Sequence, residues 1–92
     1  MSEVAVRVRV TGRVQGVGYR AWAADAARAL RLRGWVRNDP DGAVTALLAG
    51  PRDAVDAMLE AMLRGPRHAA VAAVATEVAA PGEAPETFEI RR

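Results

Sequence analysis

Hydrophobic patterning in this chain of 92 residues predicts one α+β domain over residues 1–92. The opening segment, Val4 to Val10, alternates valine with alanine and arginine, which is typical of a half-buried strand. Two later segments carry apolar residues at helical spacing, and short strand-like runs follow each of them. The resulting order is β-α-β-β-α-β with one extra C-terminal strand. It predicts a ferredoxin-like sandwich, in which two helices lie on one face of an antiparallel sheet.

Apolar spacing and turn-forming residues predict the first helix and the hairpin after it. The helix should span Arg20 to Leu32, with one apolar face. A β-hairpin should follow, with strands at Trp35 to Asn38 and Val44 to Ala49. Its turn, Asp39-Pro40-Asp41-Gly42, combines a proline that presets φ with a glycine that accepts the left-handed conformation. The predicted helix face comprises Trp22, Ala26, Ala29 and Leu30.

A second helix and two strands complete the predicted fold. Pro51 suits the first helical position, and Gly65-Pro66 should stop the helix. A strand over Ala69 to Val78 and a loop at 79–86 should follow, before a last short strand at Thr87 to Arg91. The apolar stripe of the second helix comprises Val55, Met58, Leu59, Met62 and Leu63.

Composition indicates an ordinary soluble globular protein. Hydrophobic residues make up 51% of the chain and charged residues 26%, a balance unlike that of disordered chains. The sequence has no cysteine, so disulfides, thiolate nucleophiles and zinc–thiolate sites are excluded. It shows neither a signal peptide nor an apolar run of membrane-spanning length. We therefore expect a cytoplasmic protein, a monomer with no membrane partner.

The charge pattern argues against nucleic-acid binding. Every basic residue is arginine, yet the net charge is only +2. Acidic residues are interleaved with the arginines along both predicted helices, as at Asp25 and Arg28. A nucleic-acid binder usually concentrates positive charge on one face. We expect no nucleic-acid partner and interpret the arginine content as a reflection of genome composition.

The segment between the first strand and the first helix is the candidate functional feature. Its glycines, Gly12, Gly16 and Gly18, allow backbone N–H groups to turn inward and form an anion-binding nest, to which the helix N-terminus adds its positive end. Arg20 lies in the first helical turn, where a cation opposes the helix dipole by some tenths of a kcal/mol. That position indicates that Arg20 serves a bound anion. A glycine-spaced loop alone is nevertheless common, and this one is neither a P-loop nor a dinucleotide fingerprint.

Two motifs carry a family resemblance. The run Val10-Thr11-Gly12-Arg13-Val14-Gln15-Gly16-Val17-Gly18-Tyr19-Arg20 resembles the first signature of the acylphosphatases. Gly34-Trp35-Val36-Arg37-Asn38, followed by Asp41-Gly42-Ala43-Val44, resembles their second signature. Similarity extends over essentially the whole chain.

The resemblance implies an enzyme that hydrolyses the carboxyl–phosphate bond of acyl phosphates by direct attack of a positioned water. Arg20 would bind phosphate and Asn38 would position the water. The family needs no metal or other cofactor and forms no phosphoenzyme. The substrate would be a small acyl phosphate, with inorganic phosphate or sulfate as an inhibitor. The substrate-binding backbone N–H groups would come from Gln15, Gly16, Val17, Gly18 and Tyr19.

Other interpretations remain open from the sequence. Asn38 also suits the start of a turn, independently of catalysis. The same fold serves non-catalytic anion-binding or RNA-binding modules, although the first strand lacks the aromatic residues that stack bases. An excised N-terminal domain of a hydrogenase-maturation carbamoyltransferase is a further alternative. Tyr19 stands where the family more often has phenylalanine, and Arg31 stands where it usually has glycine.

Overall fold

The computed structural model describes residues 3–92 and confirms the predicted order of elements. Two helices alternate with five strands, and a short 3₁₀ turn precedes the last strand. Neither helix in this part of the chain has the length and apolar character needed to cross a membrane. The elements are β1 (Val4–Arg13), α1 (Tyr19–Ala29), β2 (Arg33–Asn38), β3 (Val44–Gly50), α2 (Arg52–Arg64), β4 (Ala70–Ala79), the 3₁₀ turn Pro81–Glu83 and β5 (Phe88–Arg91).

The strands form one sheet in the order β4-β1-β3-β2-β5. The ferredoxin-like class is therefore confirmed, but the sheet is mixed and not wholly antiparallel. β5 pairs in parallel with β2, from Gly34 opposite Phe88 to Arg37 opposite Arg91. β4 runs opposite to β2 and therefore ends at the end of the sheet where β2 begins. The connection carries the chain to the other edge of the sheet at that same end, so β5 runs in the direction of β2.

The core lies between the helices and one face of the sheet. Val8, Val10 and Val36 are fully buried there, and α2 contributes Met58 and Met62 as its stripe predicted. The apolar face predicted for α1 is partly wrong. Ala29 is exposed, while Trp22, Ala26 and Leu30 flank a buried face that comprises Tyr19, Ala23, Ala24 and Ala27. In a helix so rich in alanine, hydrophobic spacing cannot identify the face in contact with the sheet.

Arg31, which stands where the family usually has glycine, lies in the turn that ends α1. The helix ends at Ala29, earlier than predicted, and the chain then makes a Schellman motif. The Leu32 N–H donates to the Ala27 carbonyl at 2.9 Å, and the Arg31 N–H donates to the Arg28 carbonyl at 3.0 Å. Arg31 has φ 58°, the one non-glycine residue with positive φ among residues 3–92. An arginine thus occupies a left-handed position that glycine adopts without strain.

The hydroxyl of Tyr19 has its hydrogen-bond acceptor at the end of α2. Residue 66 is proline, so it has no N–H with which to bond the Met62 carbonyl one turn earlier. The Tyr19 hydroxyl donates to that carbonyl at 2.8 Å in a buried contact. Burial also raises the pKa of Tyr19 above its usual value. At the other end of the helix, Pro51 is the N-cap, one position before the one predicted.

Trp35 lies on the sheet face opposite the helices, because its neighbour Val36 points into the core and side chains alternate along a strand. It is nevertheless buried, with only 6% of its surface exposed. The guanidinium groups of Arg37 and Arg91 cover its ring, their Cζ atoms 4.8 and 5.4 Å from its centroid. Cation–π contacts therefore cover Trp35 on the sheet face against which neither α1 nor α2 packs.

Replacing Arg31 by glycine should stabilise the protein. The left-handed conformation costs an L-residue roughly 1 to 2 kcal/mol, a strain that glycine avoids. The greater conformational freedom of glycine in the unfolded chain offsets part of this stabilisation. We expect Arg31→Gly to raise the free energy of unfolding by about 0.5 to 1 kcal/mol, measured by urea denaturation. Arg64→Gly, in the last turn of α2, is the matched control and should lower stability. Changes of the same sign in both variants would contradict this account.

Candidate active site

The register of the strands places the site at one end of the sheet. Val44 of β3 lies opposite both Val10 of β1 and Asn38 of β2. In β5, Arg91 pairs with Arg37, so the chain end passes beside Asn38. The loop after β1, the end of β2 and the end of β5 therefore meet at this end of the sheet.

The loop between β1 and α1 has the geometry of an anion nest. Gly16 and Gly18 have φ values of 75° and 77°, whereas Val17 between them is not left-handed. Gly18 is also the N-cap of α1. No side chain among the described residues caps this helix, and its first turn has no acidic residue. The helix N-terminus is therefore open to an anion from outside the protein.

A depression of about 430 Å³ opens above this loop. It brings Arg20 and Asn38 together, although they belong to different elements. Three of the five predicted loop residues line it, while Gln15 and Val17 do not. The lining residues are Val14, Gly16, Gly18, Tyr19, Arg20, Ala21, Asn38, Ile90 and Arg92.

Arg20 is half-buried and held in place by a neutral partner. Its Nη1 donates to the carbonyl oxygen of Arg91 at 3.0 Å. No carboxylate within residues 3–92 forms an ion pair with it. A guanidinium has five N–H donors in a planar fork, so most of them remain for a ligand.

Asn38 is the last residue of β2, immediately before a tightly bonded turn. The Asp39 N–H donates to the Ala43 carbonyl at 2.8 Å, and the Gly42 N–H donates to the Asp39 carbonyl at 3.1 Å. The half-buried Asn38 side chain therefore projects from a backbone that its neighbours fix.

The two aspartates of the turn are engaged within the protein. Asp39 accepts hydrogen bonds from Arg9, Arg37 and Thr45, and Asp41 accepts from Arg9 and from the Ala43 N–H. The hydrogen bond from Arg9, together with that from the Ala43 amide, holds the pKa of Asp41 below its usual range. Both carboxylates thus form the turn, as the sequence suggested. Among residues 3–92, histidine and acidic side chains form no group of three that could hold a metal ion.

Comparison with known proteins identifies the family. The acylphosphatase family model matches residues 6–90. The chain belongs to the acylphosphatase family. It is 56% identical to an acylphosphatase of Sinorhizobium medicae (strain WSM419) over 88 residues, which cover 96% of this chain and 94% of that protein.

Solved structures of the family have the same fold. An acylphosphatase from Bacillus subtilis superposes with a TM-score of 0.92 at 34% identity, covering 97% of this chain and 99% of that one. An acylphosphatase from Coxiella burnetii gives a TM-score of 0.91 at 36% identity, covering 97% and 93%. The chain is thus an acylphosphatase-family enzyme, and neither the binding-module nor the excised-domain alternative is favoured.

In this acylphosphatase fold, β5 contributes a wall of the site that the sequence did not reveal. Ile90 and Arg92 line the depression, and the Arg91 carbonyl anchors Arg20. The sequence pattern predicted only a short strand at Thr87 to Arg91. Nothing in that pattern indicated its pairing with β2, which brings these residues to the site.

A second, larger depression of about 610 Å³ lies on the open face of the sheet. Its arginines are paired with acids: Arg7 with Glu77 and Glu83, and Arg9 with Asp39 and Asp41. Neither Arg20 nor Asn38 lines it. Its charges compensate one another, so the smaller depression is the better candidate for an anionic substrate.

Proposed function

We propose that this acylphosphatase-family enzyme hydrolyses acyl phosphates at the depression formed by Arg20, Asn38 and the glycine loop, by direct attack of water and without a metal. The observation that supports this assignment is the convergence of the Arg20 guanidinium, the Asn38 side-chain amide and the glycine nest at one end of the sheet. Those are the groups that a phosphoryl transfer by positioning and charge stabilisation needs.

Arg20 is proposed to bind two oxygens of the phosphoryl group. A guanidinium matches such a pair in a bidentate, charge-assisted contact. The bond to the Arg91 carbonyl orients the group and leaves its positive charge uncompensated. Arg20 therefore contributes to substrate binding and to stabilisation of the charge that spreads over the equatorial oxygens.

The loop amides are proposed to hold the same phosphoryl group from the opposite side. The left-handed Gly16 and Gly18 turn the backbone so that successive N–H groups face one point, and Tyr19 begins α1 directly afterwards. Because these donors are fixed by the backbone, they need no rearrangement as charge develops. The backbone N–H groups of Gln15 and Val17 were assigned with them and stay a prediction.

Asn38 is proposed to position the attacking water. Its side-chain oxygen can accept a hydrogen bond from water, and its NH₂ can donate to a phosphoryl oxygen. Among the described residues 3–92, no strong base lines the depression. The proton of the attacking water would pass to a phosphoryl oxygen of the substrate.

The proposed reaction balances without a covalent intermediate. The water oxygen bonds to phosphorus, the phosphorus–oxygen bond to the acyl group breaks, and a carboxylate leaves with inorganic phosphate as the second product. A carboxylate is a good leaving group and needs no protonation by a strong acid. Of the described residues that line the depression, Tyr19 alone has a hydroxyl side chain, and that hydroxyl donates to the Met62 carbonyl in the core. It is not placed as a nucleophile.

Binding centred on phosphate accounts for the remaining proposals. Inorganic phosphate and sulfate should compete with substrate, because the nest and Arg20 recognise a tetrahedral anion. Phosphate monoesters should be poor substrates, because an alkoxide leaving group needs a general acid. Action as a monomer in the cytoplasm stays a prediction.

Hydrolysis of a simple acyl phosphate should survive removal of metals. We expect the purified protein to turn over acetyl phosphate at an unchanged rate after dialysis against a chelator, because the charge of Arg20 and the backbone N–H donors are proposed to stabilise the phosphoryl group. The measurement is acetyl phosphate consumption before and after dialysis. Loss of activity on chelation, followed by recovery with Mg²⁺, would contradict the proposal.

Arg20→Lys should be nearly as damaging as Arg20→Ala. Lysine keeps the charge but lacks the planar fork that matches two phosphoryl oxygens. Both variants should lose at least about 10²-fold in kcat/KM. Inhibition by phosphate should weaken in parallel. Arg64→Lys, at the end of α2, is the matched control and should keep wild-type kinetics. An Arg20→Lys enzyme with close to full activity would show that charge alone is enough.

Asn38→Ala should lower turnover while phosphate affinity persists. If Asn38 acts on the nucleophile, its contribution arises mainly in the transition state, so kcat and kcat/KM should fall together. A loss on the order of 10²-fold is reasonable for one preorganised hydrogen-bonding group. Circular dichroism must first show a folded protein, because Asn38 precedes the hairpin turn. Normal turnover, or loss of phosphate affinity as large as in Arg20→Ala, would remove Asn38 from this role.

A further inference from the structure

We propose that the side chain of Gln15 is a positioning residue for Asn38, joining the phosphate-binding loop to the hairpin that carries the water-binding amide. This inference rests on the proposed function and adds a residue to it. The Gln15 side chain does not line the depression. It turns instead toward the hairpin, where its Nε2 donates to the carbonyls of Asp39 and Ala43 at 2.7 and 2.8 Å.

The two acceptors define the chemistry required at residue 15. Both are backbone carbonyl oxygens, one at each end of the turn that follows Asn38. Two separate hydrogen bonds to two carbonyls need a group with at least two N–H donors, and a glutamine NH₂ has them. The contact is partly buried, so water competes with it less than at an exposed position.

The turn itself does not depend on Gln15. The Asp39 carbonyl already accepts from the Gly42 N–H, and the Ala43 carbonyl already accepts from the Asp39 N–H. The hydrogen bonds from Gln15 are additional to those that close the hairpin. What they add is a link between the loop after β1 and the turn of the hairpin.

That link is short on both sides. Gln15 lies between Val14 and Gly16, which both line the depression, and Asp39 directly follows Asn38. On the open face of the sheet, the Asp39 carboxylate accepts hydrogen bonds from Arg37 and Thr45. The hairpin end is thus anchored from the loop and from the open face of the sheet. A change at Gln15 should therefore move Asn38 relative to the loop and leave the loop's own conformation intact.

The proposed role predicts a specific kinetic signature for Gln15→Met, which keeps the length of the side chain and removes both donors. Misplacement of a catalytic group by about 1 Å can cost on the order of 10²-fold in rate, and we expect kcat on acetyl phosphate to fall by roughly tenfold or more. The inhibition constant for inorganic phosphate should stay within about threefold of wild type, because Arg20 and the loop amides remain.

A double-mutant cycle separates positioning from general stability. If Gln15 acts through Asn38, then Gln15→Met combined with Asn38→Ala should be no more than about twofold slower than Asn38→Ala alone. Arg33→Met is the matched control, because Arg33 Nη1 also donates to two carbonyls of one loop, Ala84 and Pro85, both at 3.2 Å. It should lower stability with kcat unchanged.

Several results would overturn the inference: full kcat in Gln15→Met, an additive loss in the double variant, a fall in phosphate affinity that matches the fall in kcat, or an equal kinetic loss in Arg33→Met. If Gln15→Met does not fold, Gln15→Asn replaces it. It keeps the amide one methylene shorter, reaches at most one carbonyl, and should show a smaller loss of the same kind. Normal turnover in Asn38→Ala would defeat the proposed function itself, whereas a silent Gln15→Met beside a defective Asn38→Ala would defeat only this inference.

Discussion

The hydrogen-bonded register between β1 and β3 determines where an active site can form. Because Val10 lies opposite Val44, and Val44 opposite Asn38, the loop that leaves β1 and the turn between β2 and β3 share one end of the sheet. β1 and β2 flank β3, and neighbouring strands lie about 4.8 Å apart, so the loop after β1 and the end of β2 begin roughly 10 Å apart, a distance that a phosphoryl group and side chains can span. A slip of one residue would also turn every valine of β1 away from the core.

Much of this arrangement could be predicted from the sequence, because local chemistry specifies it. The alternating valines of β1, the turn beginning at Asp39 and the stop at Gly65 each depend on a few neighbouring residues. What could not be predicted depends on distant contacts. Pairing of β5 with β2 is decided by which sheet edge is free, and the side-chain direction of Gln15 is decided by a hairpin turn that begins at Asp39, 24 residues later. The two motifs indicated Gln15 as part of the loop, but not as a link to the hairpin.

The exclusive use of arginine has a structural consequence on the open sheet face. Planar guanidinium groups of Arg37 and Arg91 stack on Trp35, and Arg7 and Arg9 each bridge two carboxylates. Exposed ion pairs of this kind contribute little stability one by one. Arginine side chains also have aliphatic stems, which can cover apolar surface on the sheet face that α1 and α2 leave open. Whatever the origin of the composition, arginine is suited to covering this face, because lysine offers neither the planar stack nor the fork.

Arg20 differs from those arginines in the kind of partner that holds it. A carboxylate would orient a guanidinium more strongly, but it would also neutralise the charge and compete with an incoming phosphate. The Arg91 carbonyl orients Arg20 through a neutral acceptor, and the first turn of α1 has no acidic residue. Positive potential at the depression is thereby preserved for the substrate. The parallel pairing of β5 with β2 brings that carbonyl within hydrogen-bonding distance of Arg20. The extra C-terminal strand therefore supports the guanidinium on which anion binding is proposed to depend.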